Sequence, residues 1–150
     1  MKVSRLLKGM LAYLMAQRGV TPNDIDRMLE GDLKEEACFC DVTPRLMMQT
    51  LGTDWGRELL GAGFWVRMAE EDIAEELQRG NSVVVDDIRF QNEVDMIRRL
   101  GGTVVHVVRP VQDRNPGEHK SEGQDLRPDA VIWNGGSLPE FHDKITRMFT

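Results

Sequence analysis

The sequence predicts an α/β chain: a parallel sheet with helices on both faces, preceded by a helical N-terminal half. Two observations carry this. Up to about residue 80 the apolar residues recur at helical spacing. After it they condense into short apolar runs, Ser82–Asp86, Thr103–Val108 and Ala130–Trp133, separated by helical or polar segments. Strands that are apolar on nearly every residue are buried on both faces, the habit of parallel strands covered by helices.

Val3, Leu6, Leu7, Met10, Leu11, Leu14 and Met15 follow the i, i+3, i+4, i+7 rule and predict one amphipathic helix ended by Gly19. Thr21-Pro22 is a cap followed by proline at the first helical position, opening a short helix with Ile25, Met28 and Leu29 inward. Gly31 to Asp41 reads as a loop. Thr43-Pro44 repeats the cap and starts a helix through Leu51 that Gly52 stops; Trp55 to Leu60 reads as a further turn or short helix. Beyond Gly61 and Gly63, the residues Phe64, Trp65, Met68, Ala69, Ile73 and Leu77 mark a longer helix ending before Gly80. Asn92 to Leu100 is helical between the first two strands. Val111 to Pro128 is polar and reads as a mobile loop. Ser137 with Glu140 three residues on is a capping box that opens a last helix.

Composition narrows the function classes. The length is that of one domain, 150 residues. The net charge of −6 argues against non-specific nucleic-acid binding, which draws on a basic surface. No run reaches the roughly 18 apolar residues of a membrane span. The N-terminal segment is broken by Arg5 and Lys8 and shows no small-residue cleavage site, so it reads as a helix rather than a leader, and the chain as cytoplasmic. Cys38 and Cys40 are too close for a common disulfide and have no zinc-ligand companions, so they read as two small buried or half-buried thiols.

In open parallel sheets, ligands bind beyond the C-terminal ends of the strands. Asp86, Asp87 and Arg89 follow the first predicted strand, Arg109 the second and Asn134 the third. An Asp there can hold Mg²⁺ or accept a hydrogen bond from a sugar or base; Asp86 is the metal candidate. An Arg can grip a phosphate in a fork. The competing reading is an Asp–Arg set that only ties strand ends together. Glu93, near the start of the next helix, either faces the same site or is there for the helix dipole. Trp65 either stacks on a base or anchors the core. His119 and Glu122, in the polar loop, either close over a ligand or are solvated. His106, inside a strand run, reads as a satisfied core residue.

Six segments come in the order found in deoxynucleoside monophosphate kinases of tailed phages: R-L-M-M-Q-T-L-G-T-D-W-G-R (Arg45 to Arg57), F-W-V-R (Phe64 to Arg67), V-V-V-D-D-I-R-F-Q-N-E (Val83 to Glu93), G-G-T-V-V-H-V-V-R-P (Gly101 to Pro110), H-K-S-E (His119 to Glu122) and D-A-V-I-W-N-G-G-S-L (Asp129 to Leu138). From about Lys8 onward the chain resembles that family. The resemblance implies a P-loop kinase fold and transfer of the ATP γ-phosphate to a deoxynucleoside 5′-monophosphate with Mg²⁺. It also implies a monophosphate site made by Trp65, Asp87, Arg89 and Glu93. Arg109 and the His119–Glu122 loop would be nucleotide-side or lid elements.

The family's strand, G-x-x-x-x-G-K-S/T loop and helix, which cradle the triphosphate, have no counterpart in these 150 residues. The resemblance therefore implies a single kinase-like domain, residues 1–150, without that segment. Such a domain is expected to bind a nucleoside monophosphate without phosphorylating it alone; either the two strands flanking the missing central strand close on each other, or a homodimer mate or a separate chain fills the gap. A truncated or split active kinase, and a non-catalytic phage interaction module reusing the fold, are the rival expectations.

Overall fold

The computed structural model describes residues 1–109 and 126–149 and has six α-helices, one π-helix and a two-stranded parallel sheet among them. It is an α/β fold with a helical N-terminal half, as expected. The chain divides into two compact units, Met1–Ile88 and Arg89–Thr150.

The first unit is helical. α1 (Arg5–Gln17) buries Leu7, Leu11 and Met15, one per turn, and the chain leaves it through Gly19 at φ +79°, a conformation glycine adopts without penalty. α2 (Pro22–Leu29) begins as its sequence dictates: the Thr21 hydroxyl accepts the Asp24 N–H, and Pro22 needs no partner for the N–H it lacks. Glu30, just past α2, receives Lys2 at 2.8 Å and Lys8 at 2.7 Å, tying α2 to α1. Burial pushes the Glu30 carboxyl up, but the two lysines outweigh it and hold it below its usual range.

α3 (Pro44–Gln49) starts on the Thr43 cap, whose hydroxyl accepts the Leu46 N–H. It does not stop at Gly52. The chain runs on as a π-helix over Thr50–Leu59 and only then reaches α4 (Phe64–Gln78). The expected break is absent because Gly52 has a packing role. A Cβ there would lie 3.0 Å from Leu7 Cδ1, so the bare glycine lets the π-helix lie against α1. α4 buries Trp65, Val66, Ala69 and Ile73, and the Arg5–Asp72 ion pair joins it to α1.

Between α2 and α3 the loop makes a tight reversal. The Val42 N–H donates to Phe39 O at 2.9 Å, with Cys40 at φ +50° and Asp41 at φ +60°. Two left-handed central residues are the mark of a type I′ turn, which favours Asn-Gly and is costly for most residues carrying a Cβ. Asp41→Gly should therefore stabilise the chain by about 1 kcal/mol, read as a higher urea midpoint at unchanged slope. Cys38 is half-buried and Cys40 exposed, and both are free thiols.

Ser82–Asp86 does not form the expected strand. The segment pairs with no strand among the described residues. Its backbone partners lie on the N-terminal residue: the Met1 amino group donates to Val84 O, and the Asp86 N–H reaches Met1 O at 3.4 Å. A β-branched run favours extended backbone, but a strand exists only where a neighbour supplies the ladder.

In the second unit, α5 (Gln91–Arg99) precedes β1 (Val105–Val108), and β2 (Ala130–Trp133) precedes α6 (Leu138–Phe149). The strands pair in parallel with Val105 opposite Ala130 and Val108 opposite Trp133. A staple fixes this register at its N-terminal end. The Asp129 carboxylate accepts the Val104 N–H at 2.8 Å and the Arg98 guanidinium at 2.9 Å, and Arg98 also donates to Arg127 O. The Val104 N–H and then Arg98 hold the Asp129 carboxyl below its usual range. α6 opens on the predicted capping box: the Ser137 N–H donates to the Glu140 carboxylate at 2.7 Å. Ile132 is buried, but Val131 is 47% and Trp133 60% exposed. His106 is exposed as well, which corrects its expected place in the core.

Candidate functional site

In the first unit the candidates are Trp65, Asp86 and Asp87. Trp65 projects from the first turn of α4 into the core and is only 5% exposed. Its indole N–H donates to Gly52 O at 3.0 Å. Its ring meets Phe64 at a centroid distance of 4.9 Å and Trp55 at 5.9 Å. Gly56, buried in the π-helix, provides the wall, since a Cβ there would fall 2.0 Å from Trp65 Nε1. Both the polar group and the faces of this indole are thus used inside the protein.

Asp87 is also engaged within its unit. One carboxylate oxygen accepts the Val3 N–H at 2.8 Å. The other accepts the Ser4 N–H at 3.1 Å and the Ser4 hydroxyl at 2.6 Å. These donors lead into α1, so an anion sits where the helix offers unsatisfied N–H groups and the positive end of its dipole. Sequence reading alone could not find this link, because Ser4 and Asp87 are 83 positions apart. Asp86 is exposed. Among the described residues no group of three His, Cys, Asp or Glu side chains converges on a metal position.

In the second unit the structure brings Arg89 and Glu93 together. Glu93 is 3% exposed, and its carboxylate accepts the N–H groups of Arg89 at 2.7 Å and Phe90 at 3.1 Å. This is the reverse half of a capping box: the third residue of α5 reaches back to its start. The consequence is a fixed backbone at Arg89 with its side chain on an exposed residue. Arg109 is exposed just past β1, and the Asn134 N–H donates to Val108 O at 2.8 Å, closing the same end of the strand pair. His119 and Glu122 lie outside the described residues.

A parallel strand pair preceded by α5 and followed by α6, with Arg109 and Asn134 at its C-terminal end, defines an α/β protein. Its family is explicit in the sequence: the deoxynucleotide monophosphate kinase family model matches residues 18–145, and the chain belongs to that family. It is 38% identical over 103 residues to the deoxynucleotide monophosphate kinase of Enterobacteria phage T4, an alignment covering 67% of this chain and 43% of the relative. With the enzyme of the same name from Escherichia phage RB69 it shares 32% over 106 residues, covering 69% and 43%. The deoxynucleoside-5′-monophosphate kinase of Escherichia phage T5 is 35% identical over 73 residues, covering 48% and 28%. The matches thus span less than half the length of these relatives. No helix among the described residues is long and apolar enough to cross a membrane.

Proposed function

We propose that this chain carries the monophosphate-binding part of a deoxynucleoside monophosphate kinase. The observation that carries the proposal is the Glu93–Arg89 arrangement within a family match covering residues 18–145. A buried carboxylate fixes the backbone from which an exposed arginine extends. A planar guanidinium on a fixed base is suited to two-pronged recognition of a phosphate. In this reading Arg89 holds the 5′-phosphate, and Arg109 adds positive charge beyond β1.

The family's reaction uses ATP and Mg²⁺. Phosphoryl transfer depends almost wholly on positioning and charge neutralisation of the triphosphate. These 150 residues contain no G-x-x-x-x-G-K-S/T cradle and, where described, no metal cluster. We therefore assign substrate binding to them and transfer to an assembly in which a phosphate-binding loop is also present. β1 and β2 have only each other as strand neighbours among the described residues, which leaves strand edges that such a loop-bearing chain, or a second copy of this one, could pair with.

The test is a thermal-shift titration with each deoxynucleoside monophosphate and, separately, with Mg-ATP. A monophosphate at about 100 times its dissociation constant adds roughly 2.7 kcal/mol. For a chain of this size that raises the midpoint by about 5–10 °C. Mg-ATP should produce no shift. A chain unmoved by every monophosphate would end this reading and favour a non-catalytic interaction module.

A further inference from the structure

The reversal between α2 and α3 carries two cysteines, Cys38 and Cys40, and α3 presents a methionine, Met47, to the first of them. We propose that these three sulfurs form a binding site for one cuprous ion, held by two thiolates and a thioether. The site lies wholly within the first unit and does not depend on the monophosphate reading.

The spacing of the sulfurs is the first support. Cys38 Sγ stands 3.9 Å from Met47 Sδ. Metal–sulfur bonds run about 2.3 Å, as in zinc thiolates, so two sulfurs on one metal stand about 3.8–4.0 Å apart. The pair is thus at ligand spacing already. Cys40 supplies the third donor. It is two residues from Cys38, which limits their Cα separation to about 7 Å, and its thiol is exposed, so it can turn toward the other two without disturbing the core. The frame is also fixed. The Cys38 N–H donates to Val42 O at 3.0 Å, the Arg45 N–H to Lys34 O at 2.9 Å and the Met47 N–H to Thr43 O at 3.1 Å, which ties the loop to α3. Finally, the donor set selects the ion. Structural zinc takes four thiolate, imidazole or carboxylate ligands, and among the described residues no third such side chain joins the two cysteines. Two thiolates with a soft, polarizable thioether suit Cu(I) instead. Both thiols release their protons on binding, and the one that Cys38 now directs at Val42 O, 3.3 Å away, is among them.

The test uses the intact chain under anaerobic conditions, with ascorbate keeping copper as Cu(I) and a coloured Cu(I) chelator competing for it. The chain should take one equivalent of Cu(I) from the chelator, and excess Zn²⁺ should not displace it. X-ray absorption at the copper edge should show three sulfurs at about 2.3 Å. Met47→Leu, a swap of similar volume, should leave the melting temperature of the metal-free chain unchanged and reduce the sulfur count to two. Loss of a supporting partner alone costs a metal site about 10- to 100-fold, so Met47→Leu and Cys40→Ser should each weaken Cu(I) binding at least about tenfold. Copper uptake no greater than that of the Cys38→Ser/Cys40→Ser double variant would overturn the proposal. So would undiminished affinity in Cys40→Ser, or an unchanged sulfur count in Met47→Leu, since either would place the copper elsewhere on the chain. None of these outcomes bears on monophosphate binding.

Discussion

Gly56→Ala should cost about 3 kcal/mol, lowering the melting midpoint by roughly 6–12 °C, although it adds a single methyl group to a helix and replaces glycine with the best helix former. The reason is geometric. The new Cβ would stand 2.0 Å from Trp65 Nε1 and 2.6 Å from Cε2, far inside van der Waals contact. The indole cannot swing away without breaking its hydrogen bond to Gly52 and leaving a buried N–H unpaired, which itself costs about 1–3 kcal/mol. Nor can it tilt freely, because Trp55 and Phe64 hold two of its sides. The helix propensity gained, about 1 kcal/mol in an α-helix, is too small to offset this, and the π-helical backbone need not favour alanine at all. Urea unfolding followed by near-UV circular dichroism reads the cost. Trp65→Phe should relieve part of it, because a phenyl ring lacks the pyrrole portion that the methyl strikes. The two substitutions should then be non-additive by more than 0.5 kcal/mol. Additive costs, or a Gly56→Ala cost below about 0.5 kcal/mol, would mean that the indole does not rest on Gly56.

The same cluster shows where sequence reasoning succeeds and where it cannot. Caps are local, so Thr21-Pro22, Thr43-Pro44 and the Ser137–Glu140 box were legible from a few adjacent residues, and all three form. The apolar spacing of α1 and α4 was legible because a helix face repeats along the chain. The π-helix was not, because its i→i+5 bonding has no signature among the expected periods and Gly52 resembles a stop signal. Ser82–Asp86 has the composition of a strand, but strand pairing depends on a neighbour that composition does not specify. Glu93 was legible as a carboxylate near a helix start. Its burial and its hold on the Arg89 N–H emerge only from the tertiary structure. For Trp65 the two readings, base platform or core anchor, differ only in what surrounds the ring, and the structure shows it 5% exposed with its N–H on Gly52 O and its Nε1 against Gly56.

Asp87 is the residue for which the structural and ligand-binding readings make opposite predictions. As an anchor of α1 it accepts three hydrogen bonds from Val3 and Ser4, and none of these donors belongs to a ligand. Removing the carboxylate strands two backbone N–H groups and a hydroxyl at a partly buried helix entrance. Hydrogen bonds to a charged group contribute about 1.5–3 kcal/mol each when taken singly, and water recovers part of the loss at this half-exposed position. Asp87→Ala should therefore cost about 3 kcal/mol in all. Ser4→Ala, which removes the 2.6 Å hydroxyl bond and leaves both backbone bonds, should cost about 1 kcal/mol. Hydrogen exchange should localise both effects: the amides of Val3 and Ser4 lose protection first, ahead of the interior of α1. Nucleotide affinity then separates the readings. If Asp87 acts only through α1, Ser4→Ala weakens monophosphate binding in the same direction as Asp87→Ala, and adding Ser4→Ala to Asp87→Ala costs nothing further. If Asp87 instead turns to a base or sugar when ligand arrives, it must release Val3 and Ser4. Binding would then expose those amides to exchange, and Ser4→Ala would tighten binding, because the competing bond would be gone. The sign of the Ser4→Ala effect on affinity therefore decides which reading holds, without any change to Asp87 itself.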